Sequence, residues 1–276
     1  MNETIKVLDP RAAGAKRLKD KVSIITGSGQ GIGRATARRF AEEGAIVMIA
    51  ERYPDTAQRT CDELRAYGAQ AETFVADISS AEATKELMAA TKERFGRIDV
   101  LVNVAGGSMY GPKYGWEYTE EELLANVQNN FWTTMYCCWA VLPYMVEQQS
   151  GAIVNVGSNA PKGTMRLPYA ASKGGVFAIT TSLALETATM GIRINCVAPF
   201  LSGAADPDDR VYTRIPGVKA TGDPEQRARQ AEELEARHLP NIPMRRRGLA
   251  VEQASAIAFL ASDDASFITG QILDVG

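Results

Sequence analysis

The chain has 276 residues, 45% hydrophobic and 23% charged, with 30 Lys and Arg against 33 Asp and Glu for a net charge of −3. That is room for one well-buried domain of ordinary globular composition, without the basic surface that nucleic acid or an anionic membrane would need. No run approaches the ~18 apolar residues of a membrane span.

Residues 1–20 are polar, lack an apolar signal core, and read as a flexible arm. "VSIIT" (22–26) is the first expected strand, followed by a glycine-rich turn and a helix ending at Gly44. "AIVMIA" (45–50) is the next strand and "TAQRTCDELRAYG" the next helix, ending at Gly68. Further strands are expected at 71–77, 100–106, 151–158 and 193–199, with helices at 83–96, 119–148 and 171–191 between them. Strands apolar throughout, alternating with helices, indicate a parallel sheet covered on both faces. The expected fold is a single-domain, doubly wound, Rossmann-like α/β domain over residues 21–276. Residues 200–246 break the rhythm with a polar loop dotted with Pro and Gly, placed after a strand end where such sheets bind substrate. A helix at 252–262 and a last strand at 270–275 close the chain.

Cys61, Cys137, Cys138 and Cys196 sit in apolar surroundings without metal-ligand spacing and read as buried free thiols. The one histidine, His238, leaves neither a zinc site nor a His-based triad to expect. A reducing cytoplasm follows as the expected compartment. The short run Arg245, Arg246, Arg247 reads as a solvated or phosphate-facing loop.

"TGSGQGIG" (26–33) joins the first strand to the first helix. Gly27, Gly31 and Gly33 allow a tight turn and close approach of backbone to a pyrophosphate, which the helix N-terminus attracts. Glycine turns also serve plain connections, but the first βα position favours a nucleotide. Glu51, at the end of the second strand, is placed to accept hydrogen bonds from ribose hydroxyls and to repel a 2′-phosphate. Gln30 adds no positive charge, so NAD is expected over NADP, although Arg52 beside Glu51 leaves NADP open.

In "PYAASK" (168–173), Tyr169 and Lys173 stand one helical turn apart on a shared face. With "TGSGQGIG", "ADIS" (76–79), "NVAG" (103–106), "NVGS" (155–158), "YAASK" (169–173) and "NCVAP" (195–199) in this order, the chain resembles the short-chain dehydrogenase/reductase family from residue 20 onward. The resemblance implies a catalytic set of Asn130, Ser158, Tyr169 and Lys173. It also implies cofactor contacts from Gly27, Gln30, Gly31, Ile32, Gly33, Glu51, Asp77, Ile78, Asn103, Ala105, Gly106, Tyr169, Lys173 and Pro199. The chemistry suits those roles. Alcohol oxidation needs a base, a free phenol is a poor one near neutrality, and a neighbouring ammonium favours the phenolate. Ser158 is expected to hold the substrate oxygen, and Asn130 to anchor a water linking the lysine to solvent. Val104, Phe200 and the short step from Ser158 to Tyr169 depart from the family pattern.

Within the family, "GAIVNVGSNAPKGTMRLPYAASKGGV" and "MYCCWAVLPYMVEQQSGAIVNV" are similar to the cis-dihydrodiol dehydrogenases of aromatic degradation, above all those of the benzoate diol. That likeness implies oxidation of 1,6-dihydroxycyclohexa-2,4-diene-1-carboxylate to catechol with loss of carbon dioxide. Arg166 is then the candidate cation for the carboxylate, with a surface or subunit-interface role as the alternative. The same catalytic set would also serve a reductase of 3-oxoacyl thioesters, or an enzyme of sugars, steroids or cyclic alcohols. A nucleotide sensor without turnover would predict a broken Tyr/Lys pair. Family habit and the apolar "NNFWTTMYCCWAVLPYM" suggest a homotetramer or homodimer.

Overall fold

The computed structural model describes residues 16–200, 202–203, 212, 217, 240 and 242–276. His238 and most of the loop expected at 200–246 lie outside the described residues. Strands β1 (Val22–Thr26), β2 (Ile46–Glu51), β3 (Ala71–Val75), β4 (Val100–Asn103), β5 (Gly151–Val156) and β6 (Ile192–Pro199) belong to one sheet with β9 (Ile272–Val275). All neighbours pair in parallel, in the order β3-β2-β1-β4-β5-β6-β9. A second, two-residue pair joins β7 (Ser202–Gly203) to β8 (Gly248–Leu249).

Side chains alternate across this sheet, and each face has its own layer of helices. Ile25, Val47, Ile49, Val102 and Val154 pack against α1 (Gly31–Glu42), α2 (Pro54–Ala66) and α7 (Ala250–Ala261). Ile24, Met48, Leu101, Ile153 and Ile194 pack against α3 (Ala81–Phe95), α5 (Thr133–Gln148) and α6 (Leu167–Thr187). Each fully buried Leu or Ile contributes roughly 1.5–3 kcal/mol. Two such layers, rather than the propensity of any helix, hold the domain together.

The chain winds outward from β1 to β3, then crosses back to β4 beside β1. The connections leaving β1 and β4 diverge, and a crevice opens between them at the carboxyl ends of the strands. That crevice receives the glycine turn.

Several element ends differ from expectation, each for a local reason. β3 stops at Val75 because Asp77 Oδ1 accepts the Ser79 N–H and turns the chain. β4 stops at Asn103 because Thr26 Oγ1 takes the N–H groups of Val104 and Ala105. The single helix expected over 119–148 divides into α4 (Glu120–Val127), a wide π-type turn (Gln128–Trp132) and α5. α6 begins at Leu167, with Pro168 in its first turn where the missing N–H costs nothing, so Tyr169 is already helical. Residues 16–20, the end of the expected arm, form a turn that seats Leu18 fully in the core and sets Arg17 on Glu43. In the arginine run, Arg246 pairs with Glu252 and Arg245 donates to the Pro240 carbonyl.

Candidate active site

The glycine turn is shaped by close backbone contacts. A Cβ on Gly33 would lie 2.1 Å from the Gly27 carbonyl oxygen, and one on Gly27 would lie 2.9 Å from Ala105 Cα. Gly27 and Gly31 have φ of +62° and +58°, a region that side chains disfavour. Helix α1 starts here with Gln30 as its N-cap, no side-chain cap bond and no acid in its first turn. Its N–H groups and positive dipole end therefore face the crevice. Ile32 packs behind the turn against the core. Thr26 Oγ1 fastens the far wall by accepting from Val104 N at 3.0 Å and Ala105 N at 3.1 Å.

Glu51 sits beside this turn, 8% exposed. Its carboxylate accepts from Gly29 N at 2.9 Å, Arg52 N at 2.8 Å and Tyr53 N at 3.3 Å. A carboxylate offers about four acceptor sites, so capacity remains for a ribose hydroxyl. Arg52 pairs with Asp77 at 3.0 Å instead of extending over the turn. Burial works to raise the Asp77 carboxyl, but hydrogen bonds from Ser79 and the charge of Arg52 outweigh it and hold it below its ordinary value. An uncapped helix end, a cradle that side chains would fill and a buried carboxylate beside it fit a nicotinamide dinucleotide.

Lys173 and Tyr169 meet at the end of β5, and Ser158 follows two residues after that strand. Lys173 is 3% exposed and its Nζ donates to the Val156 carbonyl at 2.7 Å, which fixes the ammonium against the end of β5. The same Nζ lies 5.9 Å from the centroid of the Tyr169 ring. Ser158 Oγ accepts from Ala160 N at 3.0 Å. A short 3₁₀ turn, Ala160–Lys162, takes up the brief step from Ser158 towards Tyr169, and Asn159 N ties it to the carbonyl of Pro199 at 3.1 Å. Arg166 is the N-cap residue of α6, partly buried, with no side-chain hydrogen bond or ion pair among the described residues.

Asn130 is fully buried in the π-type turn. Its Oδ1 accepts from Gly107 N at 2.7 Å, and its Nδ2 donates to Gly107 O at 3.1 Å and Asn126 O at 2.9 Å. Both amide protons go to protein carbonyls, and Oδ1 keeps a lone pair for a further donor such as the expected water. The side chain also clamps the backbone that follows β4. Gly106 fits under it because a Cβ would lie 2.7 Å from Asn130 Oδ1.

Two expected cofactor residues have side chains that turn inward. Asn103 Nδ2 donates to Asn155 Oδ1 at 2.9 Å and to Cys138 Sγ at 3.3 Å, inside the layer under the crevice. Ile78 is 7% exposed and joins the core around α3. All four cysteines are buried thiols, and burial pushes Cys138 and Cys196 up to about 12.

The residues that sequence reasoning missed are mostly partners of those it found. Asn155 faces Asn103 in register across β4 and β5 and passes its amide to Thr180 at 2.9 Å. An Asn inside an apolar strand was the available signal, since a buried amide needs a partner. Thr26, Gly107 and Asn126 carried no comparable mark.

A family model described as "short chain dehydrogenase" matches residues 21–205, and one described as "Enoyl-(Acyl carrier protein) reductase" matches residues 204–276. The 1,6-dihydroxycyclohexa-2,4-diene-1-carboxylate dehydrogenase of Pseudomonas putida is 41% identical over 94% of this chain and 93% of its own. The enzyme of the same name from Acinetobacter baylyi is 38% identical over 95% of this chain and 97% of its own. Among solved structures, a 3-oxoacyl-[acyl-carrier protein] reductase with bound NAD from Brucella melitensis superposes with a TM-score of 0.81 at 31% identity, covering 99% of this chain and 96% of that one. Matches of this length and identity lead to one conclusion: the chain belongs to the short-chain dehydrogenase/reductase family of oxidoreductases.

Proposed function

We propose that the protein oxidises a carboxylated cis-dihydrodiol, 1,6-dihydroxycyclohexa-2,4-diene-1-carboxylate or a near relative, to a catechol with loss of carbon dioxide, using NAD. The observation that carries the chemistry is the buried Lys173 ammonium, held by the Val156 carbonyl and set beside the Tyr169 ring. Gly27, Gly31 and Gly33 with the start of α1 would hold the pyrophosphate, and Glu51 the adenosine ribose. When bound, the nicotinamide supplies the acceptor for the hydride. Tyr169 takes the proton of the secondary hydroxyl, helped by a neighbouring charge that favours a phenolate. Ser158 holds the oxygen as it becomes a carbonyl.

The substrate's own chemistry completes the reaction. The new ketone lies β to the carboxylate, so the bond to that carboxylate breaks, its electron pair enters the ring, and carbon dioxide leaves. Loss of hydride, proton and carbon dioxide turns the diene diol acid into an aromatic diol. The likeness to dehydrogenases named for this substrate supports that reading, and so does Arg166, a partly buried guanidinium three residues before Tyr169.

NAD rather than NADP is favoured by the Glu51 carboxylate at the ribose position and by the engagement of Arg52 with Asp77. A cytoplasmic homotetramer or homodimer is the proposed assembly, with exposed Trp139 and Leu185 of α5 and α6 suited to subunit contact. Light scattering on the purified protein tests the assembly.

The growth of absorbance at 340 nm with NAD tests the activity, on a carboxylated and an uncarboxylated cis-diol in parallel. Arg166→Ala should raise KM for the carboxylated diol by about 10-fold or more, the worth of a charge-assisted pair, and leave the other diol unchanged. Equal losses on both would remove Arg166 from the carboxylate site. No turnover of either diol would remove the substrate assignment.

A further inference from the structure

We propose that Tyr212 walls the adenosine-ribose end of the cofactor crevice and is a determinant of NAD over NADP, an inference that rests on the nicotinamide reading given above. Tyr212 is the one residue of the stretch between β7 and Gly217 that the structure describes, and it is 8% exposed. Among the described residues, three separate contacts hold it. Its backbone N–H donates to Gln30 Oε1 at 3.1 Å, while Gln30 Nε2 donates back to its carbonyl at 3.1 Å. Its ring stacks on Tyr53 with centroids 3.7 Å apart and planes 7° from parallel. Its hydroxyl donates to the Asp55 carboxylate at 3.0 Å. The Gly217 N–H adds a bond to the Tyr53 hydroxyl at 2.9 Å.

These anchors flank Glu51 on both sides. Gln30 belongs to the glycine turn whose Gly29 N–H donates to Glu51, and Tyr53 gives its own N–H to the same carboxylate. Tyr212 is thus fastened beside the strand-end carboxylate of β2, where the ribose is proposed to lie. The two dinucleotides differ at that position alone, by a 2′-hydroxyl or a 2′-phosphate.

A phosphate dianion needs cations or unfilled donors. Tyr212 engages both ends of the Gln30 amide, the neutral side chain that projects from the turn. Its hydroxyl also binds Asp55, so that a second carboxylate belongs to the cluster built around Tyr212. Of the neighbouring guanidiniums, Arg52 pairs with Asp77, and Arg59 Nη2 donates to the Gly29 carbonyl at 2.8 Å. A ribose hydroxyl can donate to Glu51 in this setting, whereas a phosphate meets like charge and donors already engaged. The phenol, through what it occupies and what it brings, makes the discrimination sharper than Glu51 would alone.

The test is calorimetric titration of NAD and of NADP into the full chain without substrate, for the native protein, Tyr212→Ala, Tyr212→Phe and Asp55→Asn. Tyr212→Ala should narrow the preference for NAD about 10-fold, the worth of one charge-assisted contact, chiefly by tighter binding of NADP. Tyr212→Phe keeps the stack and the Gln30 clasp and should retain most of the preference. Asp55→Asn leaves the ring in place, serves if Tyr212→Ala does not fold, and should narrow the preference about threefold. Weaker binding of both dinucleotides in equal measure would make Tyr212 a structural clasp, and tighter binding of both would mean that it occupies the cofactor's place. Either result, or an unchanged ratio, overturns the inference. A native protein that binds neither dinucleotide, or prefers NADP, would instead overturn the cofactor reading beneath it.

Discussion

The two edges of the sheet carry similar polar chemistry and treat it in opposite ways. At the amino edge, Asp99 accepts from Val22 N at 2.9 Å and from Arg97, and Arg193 donates to the carbonyls of Leu260, Ala261 and Ser262. Lys21 faces Asp263 at 3.5 Å, and Glu43 lies between Arg17 and Arg39. A cleft of about 490 Å³ opens there, lined by Lys21, Asp99, Arg193 and Asp263 among others, yet these groups are bonded to one another or to backbone. At the carboxyl edge, α1 begins without a side-chain cap, Arg166 has no partner among the described residues, and the buried Oδ1 atoms of Asn103 and Asn126 have none either. A cleft alone therefore does not set the amino edge apart from the crevice at the carboxyl ends. Unfilled hydrogen-bonding capacity and an ammonium fixed beside a phenol do.

Tyr169→Phe is expected to show the largest effect. It removes the oxygen that takes the proton and should lower kcat/KM about 10²- to 10⁴-fold while leaving dinucleotide binding and the unfolding midpoint near native. Lys173→Ala should lose comparable activity and also stability, because the Val156 carbonyl forfeits its buried donor. A Tyr169→Phe enzyme within tenfold of native would mean that the carboxyl edge does not hold the general base.

The amino edge should answer in stability alone. Glu43→Gln takes a carboxylate with a 4% exposed side chain from between two guanidiniums, and should cost on the order of 3 kcal/mol with kcat/KM unchanged. Burial works to raise this carboxyl, but the hydrogen bonds and charges of Arg17 and Arg39 outweigh it, so its native value lies below its ordinary one. Its stabilising effect is then complete above the unfolded value, about 4.3, and is lost as pH falls through the lower native value. Urea midpoints of native and Glu43→Gln protein should differ clearly near neutrality and converge in acid, as pH falls through the lowered native value. A gap that widens in acid would contradict the sign.

Between these lies Asn130→Ala, expected to cost about 1–3 kcal/mol by orphaning Gly107 N and O, and to lower kcat by loosening the loop after β4. Asn130→Asp keeps an acceptor for Gly107 N but loses both donors, so it should rescue only part of each loss. Full activity in either variant would reduce Asn130 to a residue of folding.

What the sequence made legible follows the range over which each signal acts. Parallel strands announced themselves because residues buried on both faces leave no polar alternation, and Gly27 and Gly33 because only glycine fits where those backbones meet. Tyr169 and Lys173 sit one helical turn apart, so local geometry alone brings them together. Asn130 was found as a position, but its clasp on Gly107 was not, since that partner lies on another element. The pairing of Asn103 with Asn155 depends on the register of β4 and β5, and that of Tyr212 with Tyr53 joins residues far apart in the chain. Neither has a local signature. Breaks such as the π-type turn at Gln128–Trp132 also escape, because no Gly or Pro marks the place.

The smallest effect is expected at the cleft of the amino edge, and it is the sharpest check on the contrast between the edges. Asp263 and Lys21 stand 3.5 Å apart with side chains 82% and 32% exposed. In such solvent an ion pair contributes about 0–1 kcal/mol, screened further by salt. Asp263→Asn should therefore move the unfolding free energy by less than about 0.5 kcal/mol and leave KM for diol and dinucleotide where they were. A shift in either KM would mean that the cleft communicates with the reaction, and that paired charges at the amino edge do more than hold the ends of the strands.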